Sequence, residues 1–135
     1  MLAYTDGSCL CNPGRGGWAY VLLDGNSVVR RGSGGEKYTT NNRMEMLAAI
    51  NAINAGGRII RTDSMYVING ITKWIDKWAR MGWKKPDKSA VRNADLWQQL
   101  QAISSGVTWQ HVRGHTGDKY NEEVDTMAKK EAHAA

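Results

Sequence analysis

At 135 residues and 41% hydrophobic composition, the chain suits one domain, residues 1–135, which buries roughly two thirds of its unfolded surface without a disulfide staple. The net charge of +5, from 18 Lys and Arg against 13 Asp and Glu, favours an anionic partner, nucleic acid first. No apolar run approaches the ~18 residues of a membrane span, MLAY does not start a signal peptide, and Cys9 and Cys11 alone complete neither a disulfide framework nor a metal site. The expectation is a cytoplasmic monomer with no membrane partner.

Residues 2–8 read as a short strand, and GWAYVLL (17–23) as a second. Asp24-Gly25-Asn26 is a strong hairpin turn, and SVVRRG (27–32) returns as a third strand. The period then changes. Met46, Ala49, Ile50 and Ile53 fall at helical spacing within residues 42–55, and Gly56-Gly57 stops the helix. RIIRT (58–62) is a short buried strand. Residues 64–70 form a short helix and 72–81 another, with Thr72 as N-cap and Gly82 as its end. A basic loop runs through Pro86. Residues 93–104 are helical, with Leu96, Leu100 and Ile103 on one side, and 107–112 alternate as a last strand. A final helix covers 121–134, acidic early and lysine-bearing later, as the macrodipole favours. Three hairpin strands followed by helix–strand alternation predict an α/β fold, a mixed sheet with helices packed on it.

Four acids fall at element ends: Asp6 near the end of the first strand, Glu45 in the first helical turn, Asp63 after RIIRT, and Asp125 early in the last helix. In open α/β sheets, sites form where strand ends meet helix starts. Each acid also has a local reading. Asp6 opens an Asx-turn before Gly7, and Glu45 completes a capping box begun by Asn42. Asp63 serves as an N-cap, and Asp125 answers the helix dipole. Taken together, carboxylates brought close raise one another's pKa unless a cation sits among them. Oxygen ligands without His or Cys point to Mg²⁺ or Mn²⁺, and in a basic protein to phosphoryl chemistry on nucleic acid.

Five stretches, YTDGSCLCNPGRGGWAY, TTNNRMEMLAAI, RTDSMYVINGITKWIDKWARMGWKK, VRNADLWQQL and HVRGHTGDKYNEEVDTMA, in that order, closely resemble ribonuclease H of the type 1 class. The resemblance spans nearly the whole chain. It implies a five-stranded mixed sheet, three antiparallel hairpin strands and then parallel ones, with helices on both faces. It also implies an endonuclease that cuts the RNA strand of an RNA–DNA hybrid, leaving 5′-phosphate and 3′-hydroxyl ends. Two Mg²⁺ ions, or Mn²⁺, would be held by Asp6, Glu45, Asp63 and Asp125, with Asp6 shared between them. His115, in the loop GHTGDK, would carry protons or aid product release, so its loss should slow turnover rather than abolish it. A non-catalytic hybrid- or duplex-binding module and a metal-dependent DNA nuclease of the same fold are the rival readings.

The resemblance also implies how the hybrid is held. Cys9, Asn12, Asn41, Asn42 and Met65, with Glu45, would line the groove near the RNA 2′-hydroxyls, and Gly7 would let the backbone approach the RNA. Met65 stands where some members carry Gln. Thr40 and Asn93, helped by Arg43, match a pocket for a DNA phosphate. Trp74 would lie against DNA sugars, while Trp78 and Trp83 pack within and under a basic protrusion. Residues 73–88 hold six Lys or Arg and three Trp, and Lys84 and Lys85 would contact phosphates without reading sequence.

Overall fold

In the computed structural model, which describes residues 1–113 and 118–135, the first three strands form a meander. They are β1 (Leu2–Cys9), β2 (Gly14–Asp24) and β3 (Ser27–Thr39). β1 pairs antiparallel with β2, setting Asp6 opposite Ala19. β4 (Ile59–Thr62) lies parallel on the other side of β1, and β5 (Thr108–His111) lies parallel to β4. The strand order is β3-β2-β1-β4-β5, the expected five-stranded mixed sheet.

Strand alternation gives the sheet two apolar faces. Ala3, Tyr20 and Leu22 point to one face, where they meet Met46, Ala49, Ile50 and Ile53 of α1 (Asn41–Asn54). Trp97 and Leu100 of α4 (Ala94–Ile103) complete that core. Tyr4, Ala19, Val21 and Leu23 point the other way, onto Val124 and Ala128 of α5 (Lys119–Ala134). Helices therefore cover both faces. No helix among the described residues is long and apolar enough to cross a membrane.

Several boundaries differ from the sequence reading. β3 continues seven residues past Gly32, through a glycine-rich run that carries no apolar alternation. Those glycines are needed because the rings of Tyr20 and Trp18 lie where the Cβ atoms of residues 32 and 34 would be. Thr40, not Asn42, caps α1: its Oγ1 accepts from the Arg43 N–H at 3.3 Å. The Asn42–Glu45 capping box is therefore absent, and Glu45 is free for another role. Thr72 caps nothing. α2 (Met65–Asn69), a π-helical turn (Gly70–Trp74) and α3 (Ile75–Arg80) run on without a break, and the Thr72 hydroxyl donates back to the Ile68 carbonyl at 2.7 Å. The wide turn sits where the Trp97 ring presses on Gly70, leaving no room for a Cβ. α5 starts two residues earlier than the pattern suggests, because Asp118 caps it by accepting from the N–H groups of Tyr120 and Asn121.

An aromatic row ties these helices together. Tyr66 and Trp97 have ring centroids 5.2 Å apart, Trp97 and Trp78 5.5 Å, and Trp78 and Trp74 5.7 Å. Trp78 and Trp83 pack partly buried against the α1 side of the core, and Trp74 is 39% exposed at the end of the row.

Candidate active site

Asp6 points from the middle sheet strand and is 5% exposed; Glu45, one turn into α1, is 8% exposed. Gly7 brings these two together. A Cβ at residue 7 would overlap the backbone of Met44 and Glu45, so its absence lets α1 seat directly on β1. The space a side chain would take is filled by the protein's own helix. The Gly7 N–H then donates to both Asp6 Oδ1, at 2.9 Å, and Glu45 Oε1.

Asp63 follows the end of β4. Its neighbour Ser64, not Asp63, caps α2, accepting from the Val67 N–H at 3.2 Å. The Ser64 N–H donates to Thr62 Oγ1 at 3.0 Å, which makes the turn tight. Asp63 is thus left to face Asp6 and Glu45, and one carboxylate oxygen from each of the three lies within 4.8 Å of the others.

Burial, reinforced by the charges of Asp63 and Asp125, pushes the Asp6 carboxyl up to about 7 against the hydrogen bonding of Glu45. Burial first, and Asp6 next, raise Glu45 well above the ordinary carboxylate range. Two buried acids in contact, Asp6 and Glu45, do not both ionise unless positive charge joins them. A set of convergent carboxylate oxygens with no nitrogen or sulfur donor fits a hard divalent cation.

Asp125 stands beside this cluster rather than inside it. It is close enough to Asp6 to raise that carboxyl by hydrogen bonding and charge, yet its own Oδ2 pairs with Lys129 Nζ at 3.0 Å. The start of its helix is held by contacts that no local pattern announces. Arg61 Nη1 donates to the Tyr4 hydroxyl at 2.7 Å, and that hydroxyl donates to Asp118 Oδ2 at 3.0 Å. Arg61 Nε also donates to Gln110 Oε1, and buried Asn121 donates from Nδ2 to the Arg113 carbonyl. Three strands thereby anchor the helix that carries Asp125. His115 lies outside the described residues.

A groove runs from the start of α1 to the basic segment. Its first hollow, about 350 Å³, is lined by Asn12, Pro13, Thr40, Asn42, Arg92 and Asn93, between the starts of α1 and α4. The next, about 270 Å³, shares Asn42 and Arg92 and adds Tyr66, Trp74, Trp78 and Lys85. The last, about 320 Å³, shares Trp74, Trp78 and Lys85 and adds Lys77, Met81 and Lys84. Arg92, Tyr66 and Lys77 were not foreseen as groove residues. Arg92 had a signal, a cation directly before Asn93, but Tyr66 had none.

The other expected contacts divide. Met65 is 46% exposed at the start of α2, next to Asp63 and Ser64. Asn41 and Asn42 are exposed, and the Asn41 N–H donates to Asn12 Oδ1 at 3.2 Å. Lys84 and Lys85 are exposed. Cys9 is turned inward to its own loop: its Sγ lies 2.7 Å from the Cys11 carbonyl, 3.5 Å from that of Thr39 and 3.6 Å from that of Gly14. Arg43 is occupied as well, gripping Asp95 through Nη1 at 3.0 Å and Nη2 at 2.8 Å.

Known proteins share this fold and much of this sequence. The family model for RNase H matches residues 1–133. A ribonuclease H from Ruegeria sp. (strain TM1040) is 49% identical over 139 residues, covering 96% of this chain and 88% of that protein. A ribonuclease HI from Pseudomonas aeruginosa (strain PAO1) is 50% identical over 136 residues, covering 96% and 91%. Among solved structures, LC9-RNase H1, described as a type 1 RNase H with the type 2 active-site motif, superposes with a TM-score of 0.82 at 35% identity over 98% of this chain and 72% of that one. With its sheet, its acid cluster and its near-complete sequence match, the chain belongs to the ribonuclease H family.

Proposed function

We propose that the protein is an endoribonuclease that hydrolyses the RNA strand of an RNA–DNA hybrid with two divalent cations, Mg²⁺ in the first place. The observation that carries this is the meeting of Asp6, Glu45 and Asp63 within 4.8 Å, in a protein that also presents a groove lined by cations and aromatics. Asp6 interacts with Glu45, Asp63 and Asp125 alike, so it is the ligand best placed to be shared. Glu45 and Asp63 would hold one ion with it, and Asp125, swung from Lys129, the other. The ions supply Lewis-acid stabilisation of the attacking and departing oxygens of an in-line displacement, leaving 5′-phosphate and 3′-hydroxyl ends.

The chain's own part is to fix these ligands and to hold the two strands. β1 and α1 keep Asp6 and Glu45 rigid and dry, which strengthens their interactions. Exposed Asn41, Asn42 and Met65 lie near the acids on the RNA side, where amides can both donate to and accept from a 2′-hydroxyl. The hollow between the α1 and α4 starts is a seat for a DNA phosphate, because helix N-termini carry partial positive charge and the Thr40 hydroxyl keeps a proton to donate. Exposed Trp74 offers a flat apolar surface to deoxyribose, with Lys77, Lys84, Lys85 and Arg92 for phosphates. His115 is assigned the auxiliary proton or product-release role. Free Cys9 and Cys11 suit a reducing compartment, and the reading places a monomer in the cytoplasm.

The test is cleavage of end-labelled hybrid, duplex DNA and duplex RNA with Mg²⁺, Mn²⁺ or EDTA. RNA-strand cleavage of hybrid alone, only with metal, and with ligatable 5′-phosphate ends, is expected. Cleavage of DNA points to the related DNA nuclease, and tight hybrid binding without cleavage points to the binding module.

A further inference from the structure

We infer that Arg43 and Asp95 are positioning residues that lock Asn93 into the shape the phosphate hollow needs, and that Arg43 is not itself a phosphate ligand. This rests on the proposed hybrid-binding reading and deepens it.

Asn93 has φ 60° and ψ 27°, the left-handed region that an L-residue enters at a cost. It stands at the N-cap of α4, yet its side chain makes no capping hydrogen bond. Both ends of its amide are used elsewhere. Oδ1 accepts from Arg43 Nη1 at 3.3 Å, and Nδ2 donates to the Tyr66 hydroxyl at 3.0 Å. Tyr66 is in turn fixed by Trp97, whose Nε1 donates to the same hydroxyl at 3.3 Å. The residue is therefore held from α1 and α2 at once.

Three of the five N–H groups of Arg43 are already used, two on the Asp95 carboxylate and one on Asn93. Nη1 and Nη2 make a fork-to-fork pair with Asp95, and the pair holds the Asp95 carboxyl below its usual range. A bound phosphate would have to compete with that carboxylate. Asn93 keeps its second Nδ2 proton, directed by the two partners that immobilise the first. The ion pair spans the starts of α1 and α4, so it also sets the width of the hollow between Thr40 and Asn93.

The two roles for Arg43 predict opposite signs. Asp95→Asn frees a direct phosphate ligand and adds positive charge, so direct binding predicts tighter hybrid. Positioning predicts a Kd raised on the order of fivefold, the effect of one lost fixing interaction. Kd is measured by fluorescence anisotropy on the full chain in EDTA, so cleavage is not required. Arg43→Lys keeps the charge and loses the fork; positioning predicts a loss equal to that of Arg43→Gln, whereas retained affinity marks Arg43 as a charge contact and overturns the proposal. A hybrid with one methylphosphonate on the DNA strand supplies the third readout. Scanned along the strand, its largest penalty in the unsubstituted protein should shrink in Asp95→Asn. An undiminished penalty overturns the proposal, while failure of the unsubstituted protein to cut hybrid in Mg²⁺ sinks only the catalytic reading.

Discussion

The acid cluster and the basic protrusion are opposite solutions to handling nucleic acid. Around Asp6 and Glu45 the charges are buried, like in sign and held by sheet and helix backbone. Across residues 73–88 they are exposed, carried on long side chains and set around Trp74 and Trp78. On the proposed reading, the first region stores electrostatic tension that a cation relieves, and the second gains by releasing counterions from phosphate, which needs no fixed geometry. Chemistry, on that reading, depends on positions that tolerate almost nothing, and affinity on a surface that tolerates a good deal.

The sharpest way to break the contrast is to remove one acid. Asp63→Asn should lower single-turnover cleavage by at least about a thousandfold while hybrid affinity changes little, because ligands that act as a unit fail as a unit. Residual activity within tenfold of the parent would mean that the cluster does not carry the chemistry. His115→Ala should stay well above that floor.

Gly7→Ala comes next. The added methyl drives α1 from β1, costing roughly 1–3 kcal/mol of stability by overpacking and moving Glu45 from Asp6. Thermal melts and cleavage rates should fall together. A variant as stable and as active as the parent would show that the close approach is unnecessary.

A third test separates buried acid from exposed acid by pH. Asp6 titrates near 3.8 when unfolded and near 7 in the folded, metal-free protein, so between those values the folded state holds a proton that the unfolded state has released. That contribution to stability is complete below pH 4 and is lost as pH rises toward 7. Asp6→Asn should flatten the fall in melting temperature across this window, and Mg²⁺ should offset it in the parent. Identical pH profiles for parent and variant would remove the burial account.

The smallest effect is expected at the protrusion. Neutralising Lys84 and Lys85 together should reduce the slope of log affinity against log salt by about two, with little change in saturated rate. An unchanged slope would take these lysines off the phosphate path.

Much of the fold was legible because alternation and helical spacing are written into residues 2–23 and 42–55. β3 was cut short because its outer half is an edge strand whose glycines make room for Tyr20 and Trp18, a demand set by another strand. The N-cap of α1 was misplaced by two residues because Thr40 and Asn42 have equal capping chemistry and only the backbone chooses between them. Asp6, Glu45 and Asp63 were found from element ends and family resemblance. Their convergence depends on Gly7, whose importance is steric and carries no pattern. Family resemblance set Arg43 beside the phosphate pocket, and nothing local announces that Asp95, 52 residues away, is its partner.

The row Tyr66–Trp97–Trp78–Trp74 makes the groove a gauge. One end fixes Asn93 and the other presents Trp74, and between them there are only stiff rings in contact. In the proposed reading, the separation of phosphate seat and sugar platform is thus determined when the chain folds. A duplex with a different backbone pitch has to deform to span both, and it bears that cost itself because the protein has no soft joint there to give way.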